Sequence, residues 1–243
     1  MALPHIIACY GVRIISMPCI EGDMGKKYDL AIFDMDGTLT RSNSSWRFVL
    51  DEFGKENTET YKEFVNGKID EAEFMRRDIA LWKEAKPDVR AIDIALMVRN
   101  MPLIDGIQET VAALHYNNIK CVICSGGLMC AARMIAEEYG FDDYIADDIE
   151  ADENGYLTGN GIMNIDLSDK ASAARDFMEK YNVRPERTIT IGNSFGDVSM
   201  FKISGLSIAF NPLDMEITGA SADHVIVSGN ISDILDVILE VKD

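Results

Sequence analysis

The chain lacks any apolar run long enough to cross a bilayer, which excludes a helical membrane span. Positive charge is scarce: 23 Lys and Arg face 41 Asp and Glu among 243 residues, a formal net charge of −18. A field of that sign repels nucleic acids and anionic membrane surfaces, so neither is expected as a partner. An anionic substrate would need positive charge supplied inside its own site. Histidine is also sparse, and His5, His115 and His224 fall at no metal-ligand spacing. The cysteines (Cys9, Cys19, Cys121, Cys124 and Cys130) are odd in number and form no disulfide framework, which fits a reducing cytoplasm. Cys121 and Cys124 have C-x-x-C spacing, but positions i and i+3 of a strand face opposite ways. Buried structural thiols are therefore expected there.

What is present is ordinary globular material, 47% hydrophobic and 26% charged, sized for one large domain or a core carrying a smaller insertion. Residues 1–23 are mildly apolar, yet they lack the basic start and small-residue cleavage site of a signal peptide, and Arg13 interrupts them. They are expected to be a dispensable extension, with Met24 as the functional start.

The first strong pattern is Leu30 to Phe33, a short apolar run that reads as a buried strand and ends in Asp34-Met35-Asp36-Gly37-Thr38. Carboxylates two residues apart on an extended chain point the same way. Such a pair is unfavourable unless a cation or a shared proton lies between them. The structural alternative is a pair of solvated turn aspartates.

Residues 42–101 then read as helices without strands. Trp46, Val49, Leu50 and Phe53 form one face; Tyr61, Phe64 and Val65 a second; Phe74, Met75, Ile79 and Trp82 a third; Val89, Ile92 and Leu96 a fourth. These stripes are packing surfaces of a small inserted bundle. From Pro102 onward strands and helices alternate, which predicts a parallel sheet covered on both faces. Asp105 is expected to cap a helix, Asn117-Asn118 to end it in a left-handed turn, and Asn154-Gly155 to close a hairpin.

Open parallel sheets bind ligands at the carboxyl ends of their strands. Four polar clusters stand at or just after such ends: Asp34/Asp36, Ser125-Gly126-Gly127, Lys170, and Asn193 to Asp197. Ser125-Gly126-Gly127 is expected between a strand and a helix beginning at Leu128, where free N–H groups favour a phosphate. Lys170 at a helix start opposes the dipole preference for anions there. Asp197 brings a third carboxylate to the same edge.

In this order, D-M-D-G-T-L-T, C-V-I-C-S-G-G, Lys170 in S-D-K-A-S-A-A and G-N-S-F-G-D-V-S-M-F resemble the four motifs of the haloacid dehalogenase superfamily. Gly155 to Gly159 and Gly205 to Asn211 are similar to stretches of its phosphoserine phosphatase-like branch. The resemblance covers roughly residues 28–240. It implies an α/β, Rossmann-like, doubly wound parallel sheet core (24–41 and 102–243) with a helical-bundle cap (42–101). It also implies a cytoplasmic, Mg²⁺-dependent phosphomonoesterase for a small phosphorylated metabolite. Asp34 would be the nucleophile and Asp36 the general acid–base; Ser125, Gly126 and Lys170 would hold the phosphate. Asp34, Asp36, Asn193 and Asp197 are the candidate metal positions.

Two departures bear on this. Where the fourth motif usually carries G-D-x-x-N-D, this chain has Gly192-Asn193-Ser194-Phe195-Gly196-Asp197. One formal charge is lost, so weaker metal binding is expected, and a catalytically weak phosphate-binding protein is an alternative. The glutamate that pairs with the substrate ammonium in phosphoserine phosphatases aligns with Asn43, and a gapless alignment puts Asp78 at their cap arginine. Arg77 is the neighbouring candidate for substrate binding; its alternative is a solvated helix face. Phosphoserine phosphatase itself is the second reading. The sequence does not fix the oligomeric state.

Overall fold

A fully buried strand of four apolar residues can be satisfied only in the middle of a covered sheet, and β1 (Leu30–Phe33) lies there. The computed structural model describes residues 27–240, so the expectations for residues 1–23 and for Met24 fall outside the described residues. The remaining strands are β2 (Lys120–Leu128), β3 (Asp143–Ala151), β4 (Leu157–Ile162), β5 (Thr188–Gly192), β6 (Leu206–Phe210) and β7 (His224–Ile226). They form a seven-stranded sheet in the order β4-β3-β2-β1-β5-β6-β7. All neighbours are parallel except the β3–β4 hairpin. Its turn includes Gly155 at φ +84°.

Alternate residues of each central strand enter different cores, as the pleat requires. Ala31, Phe33, Cys121 and Ile123 face one core, which also receives α5 (Ile107–Tyr116), α6 (Met129–Tyr139) and α9 (Ile234–Ile238). Leu30, Ile32, Val122 and Cys124 face the other, against α7 (Lys170–Lys180) and α8 (Val198–Phe201). Cys121 and Cys124 are thus buried on opposite faces, as structural thiols should be. The doubly wound α/β architecture is as expected. Because β1 joins β2 on one side and β5 on the other, the crevice at its carboxyl end is the topological switch point.

Between β1 and α5 lie α1 (Ser45–Glu52), α2 (Thr58–Val65), α3 (Glu71–Ala85) and α4 (Ala91–Val98). α1 and α3 are joined by the stacked rings of Trp46 and Trp82, 5.3 Å between centroids, a geometry worth about 1 kcal/mol beyond area burial. α2 has no buried residue. The β3–β4 hairpin reaches these helices: Lys83 Nζ donates to Leu157 O at 2.6 Å, and the Ala91 N–H to Gly155 O at 2.9 Å.

Three local expectations are corrected. α4 buries Ile94 and Val98, whereas Ile92 and Leu96 are each 55% exposed. The face predicted from Val89 fails because Val89 precedes the helix and packs from the turn before it. Asp105 does not cap α5; Gly106 does, at φ +84°, and Asp105 instead pairs with Arg41 at 2.9 Å. A Cβ on Gly106 would meet Asn230 Oδ1 at 1.8 Å, so this tight corner admits only glycine. Finally, β2 runs on through Ser125-Gly126-Gly127 to Leu128, and α6 starts at Met129. By contrast Asn118 adopts the expected left-handed φ of +55°.

Candidate active site

The site begins where β1 runs out. The Asp34 N–H still bonds Ile191 O at 2.8 Å, after which the chain turns and Met35 O accepts from the N–H groups of Thr38, Leu39 and Thr40. This compact loop carries both carboxylates into the crevice. Asp34 is 3% exposed. The Lys170 ammonium lies 2.8 Å from Asp34 Oδ1 and 2.7 Å from Asp197 Oδ1, with all three side chains buried. Asp36 is held differently: its Oδ2 accepts from the Ser45 N–H at 2.7 Å and the Ser45 hydroxyl at 2.8 Å, while Oδ1 has no partner.

These surroundings set the charges. Burial and the nearby Asp197 carboxylate push Asp34 up to about 7 against the pull of Lys170. Burial lifts Asp36 to about 6, opposed by the two Ser45 bonds. Burial alone would lower Lys170, but Asp197 and Asp34 outweigh it and keep it an ammonium. The site therefore holds a fixed cation beside a carboxylate, and a second carboxyl able to gain or lose a proton near neutrality.

The end of β2 is a bulge. Ser125 pairs with Ala146 and Leu128 with Asp147, leaving Gly126 and Gly127 outside the ladder. The Gly127 N–H is taken by Ser125 Oγ at 3.1 Å, and that of Leu128 by Ser45 Oγ at 2.8 Å. Because α6 starts only at Met129, the phosphate cradle expected here is strand-bulge backbone rather than a helix N-terminus. A Cβ at Gly127 would fall 2.5 Å from Asp36 Oδ2 and 2.7 Å from Ser45 Oγ, so the approach of Asp36 requires glycine. Ser125 and Gly126 still face the same cavity as Asp34, Asp36 and Lys170.

In the fourth cluster Asp197 is fully buried, and its Oδ2 accepts from the N–H groups of Asn193 and Ser194 and from the Ser194 hydroxyl. With Oδ1 on Lys170, both oxygens are engaged, and Asp197 does not line the cavity. The expectation that it ligates a metal is corrected: it anchors the loop and the lysine. Asn193 does line the cavity; it is 1% exposed, and neither Oδ1 nor Nδ2 has a partner. An amide buried without partners is costly. Among the described residues no cluster of three His, Cys, Asp or Glu is arranged as a metal cage. The unpartnered Asn193 oxygen and the Asp34 carboxylate nevertheless line one cavity as oxygen donors. Such donors fit Mg²⁺, which keeps several waters and needs few protein ligands.

The cavity, ≈ 200 Å³, lies between sheet edge and cap. Asn43 lines it, as its candidate role requires. Arg77 does not. Glu63 and Glu73 hold its guanidinium at 2.5 and 2.7 Å, and it borders a separate groove with Asn57 and Glu84. Its assignment to substrate binding is corrected on that ground. Sequence reading missed Ser45, Trp46, Glu71, Asp78 and Asp147. Ser45 reads only as a helix-start serine, while Trp46, whose Nε1 donates to Gly126 O at 3.2 Å, reads as a packing residue. Asp147 stands in the middle of β3, where its pairing with β2 ends, and accepts from the N–H groups of Asn164 and Ile165 at 2.8 and 3.0 Å.

The haloacid dehalogenase-like hydrolase family model matches residues 31–202. The chain belongs to that family. It is 30% identical over 199 residues to phosphoserine phosphatase SerB2 of Mycobacterium tuberculosis, covering 80% of this chain but only 47% of that protein. It is 28% identical over 213 residues to a phosphoserine phosphatase of Idiomarina loihiensis, covering 85% of this chain and 91% of the relative. A phospho-aspartyl intermediate analogue of phosphoserine phosphatase superposes with a TM-score of 0.74 at 26% identity, covering 87% of this chain and 99% of that one. Against the mycobacterial relative, the chain spans about half the length.

Proposed function

We propose that this chain is a Mg²⁺-dependent phosphomonoesterase that hydrolyses a small phosphorylated metabolite through an aspartyl-phosphate intermediate on Asp34. The observation that carries this reading is the division of labour between two buried carboxyls two residues apart. Lys170 holds Oδ1 of Asp34, and no hydrogen bond among the described residues takes its Oδ2. That oxygen is placed to attack phosphorus. As the bond from Asp34 to phosphorus forms, the bond from phosphorus to the ester oxygen breaks, and protonated Asp36 delivers its proton to the departing alcohol. A water then attacks the acyl phosphate, Asp36 takes the water's proton, and inorganic phosphate leaves with the Asp34 carboxylate restored.

Ser125, the Gly126 N–H and Lys170 hold the phosphate oxygens and offset charge in the transition state. Ser45 keeps Asp36 aimed at the leaving group. Asp34, Asn193 and the backbone carbonyl of Asp36 would hold Mg²⁺, which when bound would favour ionised Asp34 and draw charge from the phosphate, leaving the Asp36 carboxyl for proton transfer. The family relationship and the names of the relatives support this chemistry.

Phosphate release from p-nitrophenyl phosphate, with Mg²⁺ and with EDTA, tests the reading. Turnover that needs Mg²⁺ and disappears in Asp34→Asn is expected; undiminished turnover in Asp34→Asn refutes it. Phosphoserine as the particular substrate is a second reading, favoured by the names of the relatives.

A further inference from the structure

The phosphate end of the cavity does not decide what alcohol it releases; the opposite wall does. That wall is built from Tyr61, Phe64 and Phe74 of the cap, with Phe64 and Phe74 stacked at 4.8 Å and Tyr61 centred 6.3 Å from Phe74. Three carboxyl groups also line the cavity: Glu71 and Asp78 from α3, and Asp147 from the middle of β3, whose Oδ2 lies 3.6 Å from where a Cβ on Gly126 would fall. None of the three has an ion-pair partner among the described residues. Asp78 is 1% exposed, and both its oxygens accept from Asn57 Nδ2, at 2.9 and 3.0 Å. Burial and the neighbouring Asp147 carboxyl push Glu71 up to about 7, a repulsion that a cation between the two would relieve.

The balancing charge is absent from the wall. Among the described residues Lys170 is the only cationic side chain lining the cavity, and Asp34 and Asp197 hold it. Arg77 is held by Glu63 and Glu73 outside it, and Arg47, which acts on Asp78 electrostatically, pairs with Asp51 at 2.8 Å and does not line it.

Aromatic faces beside unneutralised carboxylates are the chemistry that recognises an ammonium group. A substrate carboxylate would meet the same wall with like charge and no cation. Resting on the phosphomonoesterase reading above, we infer that the substrate is the phosphate ester of an amino alcohol, carrying an ammonium group and no carboxylate. Phosphate binds at Ser125, Gly126 and Lys170, and the ammonium between the aromatic face and Glu71, Asp78 and Asp147.

The test is calorimetric binding to Asp34→Asn with Mg²⁺, where nothing is turned over, using phosphoethanolamine, phosphocholine and phosphoserine as probes. At least one of the first two should bind ten-fold or more tighter than phosphoserine. Adding Glu71→Gln should cut that preference ten-fold or more. Phosphoserine binding as tightly as the amino-alcohol esters, no measurable binding of those esters, or a preference untouched by Glu71→Gln overturns the inference. Turnover of p-nitrophenyl phosphate by the wild-type chain is read separately. If it is present while phosphoserine is preferred, only the substrate assignment falls; if it is absent, the phosphomonoesterase reading falls.

Discussion

Replacing Lys170 by methionine keeps most of the side chain's volume and deletes the only cation that lines the cavity among the described residues. In the native chain the ammonium lies 2.8 Å from Asp34 and 2.7 Å from Asp197, whose side chains are 4% and 0% exposed. Removing one partner of such a buried arrangement costs ~3–5 kcal/mol, because the remaining charges stay desolvated and uncompensated. For a chain of this size that lowers Tm by ~6–20 °C. The loss must depend on pH. Asp34 is already raised to about 7, and losing the ammonium removes the charge that pulls it down, so its folded-state value stays above its unfolded value near ~4. A carboxyl raised in this way stabilises the fold while it is protonated, and that stability is lost as pH rises through the folded value. Urea denaturation of Mg²⁺-free protein should therefore show a small deficit at pH 5 and the full deficit at pH 8. Adding Asp197→Asn should recover about half of the deficit at pH 8, since one of the two stranded charges is gone, without restoring phosphate release. A deficit below ~1 kcal/mol, or one that grows toward acid, would refute the electrostatic account.

Three further outcomes follow from the same site. Burial raises Asp78 from 3.8 to about 6, a shift of about two units worth at most ~3 kcal/mol. Its sign makes ionised Asp78 destabilising above that pH, so Asp78→Asn should raise Tm at pH 8 and leave it unchanged at pH 4. Asn193→Asp should lower the Mg²⁺ concentration for half-maximal phosphate release about ten-fold, or ~1.4 kcal/mol, by restoring a charged ligand. Ser45→Ala removes one donor from Asp36 and the only acceptor shown for the Leu128 N–H; it should cost ~1–3 kcal/mol of stability and lower kcat with little change in KM.

The frame of the molecule was legible because its signals are local. β1 (Leu30–Phe33) has the predicted bounds, and Asp34, Asp36, Ser125, Gly126, Lys170 and Asn193 converge on one cavity from β1, β2, α7 and the turn after β5. What escaped reading depends on partners distant in sequence. Asp197 looked like a ligand until its position between Lys170 and the Asn193 loop was known. Arg77 looked available until Glu63 and Glu73 were found on it. The β2 bulge was read as a turn because two glycines carry no side-chain pattern, and their reason lies 2.5 Å away on Asp36. Glu71, Asp78 and Asp147 were invisible as a group: two sit on a cap helix and one on a core strand.

The β3–β4 hairpin also bears on how a molecule gets in. Through Lys83, Ala91 and Val89 it moors α3 and the start of α4 to the sheet, in addition to the covalent connections before α1 and after α4. A cap tied at three points cannot swing aside as a rigid door without breaking backbone hydrogen bonds. α2 carries no such mooring and buries no residue, yet Tyr61 and Phe64 on it wall the cavity. Local opening favours the segment with the least burial. α2, held to α3 by the Glu63–Arg77 pair and the ring contacts of Tyr61 and Phe64, is thus the part of the cavity wall with the least burial to lose on opening.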